Sequence, residues 1–149
     1  NDLLIFTREE MLEEQVIRCR NAKNFEARYL RKDFMGQISI IRILDSRNEE
    51  FRLSKAYKNK INVINVITAP EIEMLIIHAE GQYKQFKHSK KKPSEFCKVN
   101  LRMHDVKSYD FVKNYFNDAK KLVAAIKEHQ RTAKLIKGTY GLNDLLKDN

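Results

Sequence analysis

The chain has 149 residues, of which 42% are hydrophobic, with only 4 Gly and 2 Pro. That length and apolar content support one domain with a packed core and exclude a disordered or collagen-like chain, and so few turn-formers argue against a loop-rich all-β fold. The formal net charge is +9 and it is unevenly placed: residues 1–81 carry 13 Lys+Arg against 13 Asp+Glu, whereas residues 82–138 carry 15 against 5.

Leu3-Leu4-Ile5-Phe6 is a short apolar run that suits the end of a strand. Thr7 then reads as an N-cap, with Glu10 three residues on completing a capping box. The helix this predicts carries Met11, Leu12, Val16 and Ile17 on one side. Glu9, Glu10, Glu13 and Glu14 lie in its first turns, where the helix dipole favours acids. Residues 21–37 are polar and mixed, with a break at Gly36. Ile38 to Leu44 is nearly continuous β-branched sequence and predicts a buried strand. A polar loop over 45–50 and a short helix within 50–58 follow, and 61–67 predicts a second Ile/Val-rich strand.

Thr68-Ala69-Pro70 starts a helix, because proline at the first helical position has no N–H to leave unpaired. Ile72, Leu75, Ile76 and Ala79 form one face of it. The strand–loop–helix alternation predicts an α/β fold: a small, mainly parallel sheet with flanking helices. His88 to Pro93 is a basic connector, and Ser94 suits the cap of a short helix through Phe96, Cys97 and Leu101. Ser108 suits the cap of the longest helix, with Phe111, Val112, Tyr115, Phe116, Ala119, Leu122, Val123 and Ile126 as its apolar stripe. Gly138 reads as a stop signal, and 142–146 as a last short helix. The expected organisation is a single domain over 1–149, with a site-bearing α/β half (1–81) and a basic helical half (82–149).

No apolar run approaches the roughly 20 residues that span a bilayer, and no signal-peptide pattern opens the chain. Cys19 and Cys97 have no Cys or His at metal-ligand spacing, so reduced, partly buried thiols in a cytoplasmic protein are expected.

The acids that invite chemistry lie at strand ends, where open α/β sheets bind ligands. Asp45 follows the first strong strand, and Glu49 and Glu50 follow it. Glu71 and Glu73 sit in the first turn after the second strand. Two or three such carboxylates suit Mg²⁺, which prefers oxygen ligands and organises phosphodiester cleavage. Glu71 and Glu73 equally suit a helix dipole, and Asp45 equally suits a turn cap. His78, at the end of an aliphatic helix, suits either a packed capping position or a general base. His88, His104 and His129 have no spacing that suggests a site. Lys84, Lys87, Lys90, Lys91, Lys92 and Lys98 form the densest basic stretch, with Tyr83 and Phe86 interleaved as on surfaces that stack bases beside phosphates. Such a basic half expects a polyanion, with nucleic acid held by its phosphate backbone. Lysine's excess over arginine favours point-charge phosphate contacts over base reading.

The stretch Thr68-Ala69-Pro70-Glu71-Ile72-Glu73-Met74-Leu75-Ile76-Ile77-His78 resembles the RloB-like family of Toprim-related proteins. That family carries a Pro, a Glu three residues on, an aliphatic run and then a His after a buried strand; Pro70, Glu73 and His78 stand at those places. The resemblance covers about residues 38–80. The Toprim pattern has a paired Asp-x-Asp where this chain has Asp45-Ser46-Arg47, so Glu49 is the nearest substitute for the second acid. Glu9 or Glu10 takes the place of the Glu after the first strand. The resemblance implies a Toprim-like fold and a catalytic set of Glu10, Asp45, Glu73 and His78. It implies Asp45, Glu49 and Glu73 as ligands of Mg²⁺, with Mn²⁺ as substitute. The implied role is a nuclease component of bacterial defence against phage or plasmids, cleaving RNA or DNA, with a protein partner in a defence complex. The competing expectation is a non-catalytic subunit that binds nucleic acid or a partner and retains the fold.

Overall fold

The computed structural model describes residues 3–32, 36–45, 49–68, 72–133 and 139–147. Pro70, Glu71, Ser46, Arg47 and Gly138 lie outside the described residues. The elements run α1 (Ala22–Phe25), β1 (Ser39–Leu44), α2 (Lys55–Lys58), β2 (Asn62–Ile67), α3 (Ile72–Ala79), α4 (Tyr83–Ser89), α5 (Pro93–Val99), α6 (Tyr109–Tyr115) and α7 (Ala119–Thr132). A π-helical stretch, Glu26–Leu30, extends α1, and a 3₁₀ turn, Leu142–Leu145, closes the chain. The protein is α/β. Among the described residues no helix is long and apolar enough to cross a membrane.

The two β-branched runs pair as the alternation predicts. β1 and β2 are parallel, in register from Ser39 opposite Asn62 to Leu44 opposite Ile67. Tyr140 forms a parallel bridge with Val66, and Leu146 an antiparallel bridge with Leu4. The chain's last described residues therefore lie against the outer edge of β2 and against its first ones.

β1 departs from the expected strand buried on both faces. Its side chains alternate: Ile40, Arg42 and Leu44 are buried, while Ile43 on the other face is 48% exposed. The buried face meets α1 and its extension, where Phe25, Tyr29, Leu30 and Ile40 form a small core with Phe51 and Tyr57 against it. Tyr57 donates its hydroxyl proton to the Leu30 carbonyl (3.0 Å), pinning α2 to that helix. Arg42 is tolerated on the buried face because its charge is partnered. Its guanidinium donates to the Glu49 carbonyl (3.1 Å) and Asn65 Oδ1 (3.2 Å), and lies 4.7 Å from the Phe51 ring centroid.

A second, larger core lies among α3 and α5–α7. Ile76, Ile77 and Cys97 are fully buried and Phe96 nearly so, joined by Met74, Leu75, Val106, Phe116, Ala125 and Ile126. The aliphatic run Met74–Ile77 is buried all round rather than on one face, because α5 and α7 both pack on α3.

Three expected helices differ. Residues 7–17 form turns, not a helix. The capping contact exists, with the Thr7 N–H donating to Glu10 Oε2 at 2.6 Å, but Glu14 takes a left-handed φ of +53°, which no α-helix interior holds. Leu12 and Val16 stay exposed at 42% and 69%. Ile17 packs on the small core, but a cap supplies about 1 kcal/mol, too little to hold a short helix with so little of its apolar side covered. The long helix after Ser108 is two helices. Ser108 Oγ accepts from the Phe111 N–H (3.2 Å) as the spacing predicts, but the chain leaves helical geometry at Phe116. It restarts at Asp118, whose side chain accepts from the Lys120 N–H (2.9 Å). An aspartate offering a second N-cap competes with the helix interior, and the break turns the Phe116 ring into the core. Third, α5 begins two positions early: Lys92 is its N-cap in place of Ser94, and Pro93 is its first residue.

Candidate nucleic-acid interface

The six lysines singled out in the sequence come from two short helices and the turn between them. Lys84 and Lys87 lie on α4, Lys98 in the last turn of α5, and Lys90, Lys91 and Lys92 between. The connector is tighter than its composition suggests, since His88 and Ser89 belong to α4 and Lys90 alone turns the chain with a left-handed φ of +56°. Ser89 Oγ donates to the Phe86 carbonyl (2.7 Å) and accepts from the Lys91 N–H (3.2 Å), which secures the turn. All six are exposed except Lys91, which is half-buried and donates to Asn100 Oδ1 (2.8 Å). Among the described residues none of the six is in an ion pair with a carboxylate. The interleaved aromatics face inward. Tyr83 stacks on His78 at 4.6 Å between centroids, and Phe86 meets Phe96 edge-on at 5.5 Å. They hold α4 on the core and are not open platforms for bases.

The strand-end acids are placed apart. Asp45 is exposed at the carboxyl end of β1. An open groove of about 410 Å³ runs along β2, lined by Asn62 to Asn65 and Ile67 with Leu44, Thr139 and Tyr140; Asp45 is not in its lining. Glu49 folds back on Arg42, its carboxylate 3.8 Å from Nη2. Glu10 serves the Thr7 N–H, and Glu50 pairs with Arg52 at 2.9 Å. Glu73 is fully buried, and Lys107 Nζ lies 3.2 Å from its Oε1. This contact is an ion pair: neither carboxylate oxygen has a partner in hydrogen-bond geometry. The backbone carbonyl of Glu73 takes a weak contact from Cys97 Sγ (3.8 Å). Burial, then the Glu73 charge, pushes the Cys97 thiol up to about 11, so it stays protonated. Both cysteines are free.

These acids do not fit a Mg²⁺ site as a set. Mg²⁺ keeps several of its waters, and the Glu73 carboxylate has no surface through which a hydrated ion can reach it. Among the described residues no three His, Cys, Asp or Glu side chains gather closely enough to hold one metal ion.

His78 lies where α3, α4 and α7 meet. Its Nε2 is 3.2 Å from Thr132 Oγ1 and 3.4 Å from His129 Nδ1, while its Nδ1 is buried without a partner. The network assigns the tautomer. Thr132 has one hydroxyl proton, which goes to the main-chain carbonyl of His129 (3.0 Å) or Glu128 (3.3 Å). Thr132 therefore accepts from His78 Nε2–H, and His78 Nδ1 is a bare lone pair. A second proton there would be a buried N–H with no acceptor. Burial first, and then the neighbouring His129, hold His78 below the ordinary histidine range. Burial does the same to His129.

Lys107, His129 and Thr132 had no marker in the sequence. Each meets its partner only through the fold, across 34, 51 and 54 positions. Comparison of the chain with family models, curated proteins and solved structures returns no match.

Proposed function

We propose that this chain binds nucleic acid through its phosphate backbone, using the lysine face of α4, α5 and the turn between them. The observation that carries this reading is the exposure of Lys84, Lys87, Lys90, Lys92 and Lys98 on adjacent short helices, unpaired with carboxylates, in a segment with 15 basic residues against 5 acidic ones. Lysine ammonium groups are compact point charges that favour phosphate without reading base edges, so the binding is sequence-tolerant and driven by counterion release. The test is affinity for a labelled oligonucleotide across a salt series. Each phosphate contact contributes roughly 0.7–0.9 to the slope of log affinity against log salt. Replacing Lys84, Lys87 and Lys92 by Ala is expected to lower that slope by about 2 to 3. A flat salt dependence, or an unchanged slope in the triple variant, overturns the reading.

A second reading is metal-dependent phosphodiester cleavage of the kind the family resemblance implies. Its support is the exposed Asp45 at the carboxyl end of a parallel strand, where open α/β sheets bind ligands, and it requires metal ligands other than the buried Glu73. Incubating RNA and DNA with the protein and Mg²⁺ or Mn²⁺, beside Asp45→Ala, tests it. No cutting, or equal cutting by the variant, removes it. A place in a bacterial defence complex belongs to the same reading, and co-purification of a partner from the native host tests that part.

A further inference from the structure

If α4 and α5 grip the backbone, the question is what meets the bases, because the aromatics interleaved with those lysines are turned into the core. Tyr83 is stacked on His78, and Phe86 meets Phe96 edge-on. Tyr109 is different. It is 75% exposed, the highest value among the large hydrophobic side chains of the described residues. Its only ring contact among the described residues is with Lys113, whose Nζ lies 5.9 Å from the centroid, one helical turn along α6. One ring face therefore has a cation beside it and the other is open.

Its place in the chain follows an ion pair made by the exposed Lys107. Lys107 reaches Glu73 in the first turn of α3, and Tyr109 stands two residues later, at most about 7 Å further along the chain. α5, which carries Lys98, touches the same turn through Cys97 and the Glu73 carbonyl. The segment before α6 and the lysine-bearing α5 are thus both tied to the first turn of α3, one through the Lys107 side chain and the other through Cys97.

We infer that Tyr109 is a base-stacking platform, with Lys113 beside it for the adjoining phosphate, and that the chain prefers single-stranded nucleic acid. A tyrosine ring takes a base only when that base is unstacked from its neighbours, as in single strands, loops and ends. Every base has a π-face, so the contact is tolerant of sequence, in keeping with the lysine grip. The inference rests on the nucleic-acid reading above and adds the class of strand.

The experiment measures affinity for an oligothymidylate, a blunt duplex and heparin, using the full chain, Tyr109→Ala, Tyr109→Phe and the Lys84/Lys87/Lys92 triple variant. One stacked base lost costs a factor on the order of 10 in affinity. Tyr109→Ala is expected to lose about that for the single strand only, keeping duplex and heparin binding, while Tyr109→Phe retains it. Tyrosine fluorescence of the native chain is expected to be quenched by the single strand, with the quenching reduced in Tyr109→Ala. The inference is overturned if Tyr109→Ala binds the single strand as the native chain does, or weakens on all three ligands alike. If that happens while the triple variant still loses binding, the backbone reading survives without it. If the native chain binds none of the three, the backbone reading itself is gone.

Discussion

The helical assembly of α3–α7 and the two-stranded sheet before it contain similar amounts of apolar sequence and spend it differently. In the helical region the run Met74–Ile77 and the pair Phe96–Cys97 are buried from every side. In the sheet region four side chains make the buried cluster, the other sheet face buries Val66 but leaves its partner Ile43 half-exposed, and Leu12 and Val16 stand in water. A helix surrounded by helices closes a core by itself. A two-stranded parallel sheet has one face more than a single covering helix can shield, and parallel sheets are ordinarily covered on both. Stability is therefore expected to be concentrated in the second half of the chain, with the sheet region as its less cooperative neighbour.

The largest effect should come from truncating the tighter core. Phe96→Ala is expected to cost about 3–5 kcal/mol, and Ile43→Ala about 1 kcal/mol or less, because half of that side chain is already in water. Urea unfolding followed by circular dichroism compares them, and equal shifts of the two midpoints would dissolve the contrast between the regions. Next is the ion pair between the buried Glu73 and the exposed Lys107. Lys107→Met leaves the Glu73 carboxylate without its counter-charge, at an expected cost of about 1–3 kcal/mol, since Lys107 itself is already in contact with water. Adding Glu73→Gln in the same chain should recover most of it, since the charge itself is the liability. A single variant within about 0.5 kcal/mol of the native chain would show that the pair matters little.

The smallest effect is the pH dependence of the helical region. The fold holds His78 in its neutral form, whereas an unfolded histidine takes a proton near pH 6.5. Below about pH 6.5 the unfolded chain thus binds more protons than the folded one, and stability falls as the pH drops toward the lower folded value. His129 adds to this in the same direction. Melting temperatures taken between about pH 7.5 and 5.5 are expected to decline for the native chain and to decline less for His78→Gln. Matching slopes would mean that His78 is not the group responsible.

Where local signals agreed with one another, the fold was legible. The β-branched runs became β1 and β2 within a residue of their expected ends, Ser108 caps α6, and residues 142–146 close with a helical turn. α1 was hidden because Phe25, Tyr29 and Leu30 lie among charged residues, although the spacing of four between Phe25 and Tyr29 is helical. The helix expected after Thr7 had a cap and an acidic first turn, but only Ile17 of its apolar side packs on the core while Leu12 and Val16 stay exposed. For the candidate site, the run of lysines was legible since its members are neighbours in sequence, and five of the six are exposed. The direction in which Tyr83 and Phe86 point was not, and that alone moves the stacking role to Tyr109.

The sequence by itself determined the charge split, the two strands, the aliphatic α3 and the run of lysines, because charge and short-range propensity are properties of consecutive residues. Only the tertiary structure decided that Glu73 lies buried against Lys107, that His78 is clamped by Thr132 and His129, and that Asp45, Glu49 and Glu73 do not gather into one three-acid cluster. Those are meetings between residues far apart in the chain. Burial then sets their chemistry: it decides whether a carboxylate faces water or an ammonium group, and whether an imidazole has a place for a second proton.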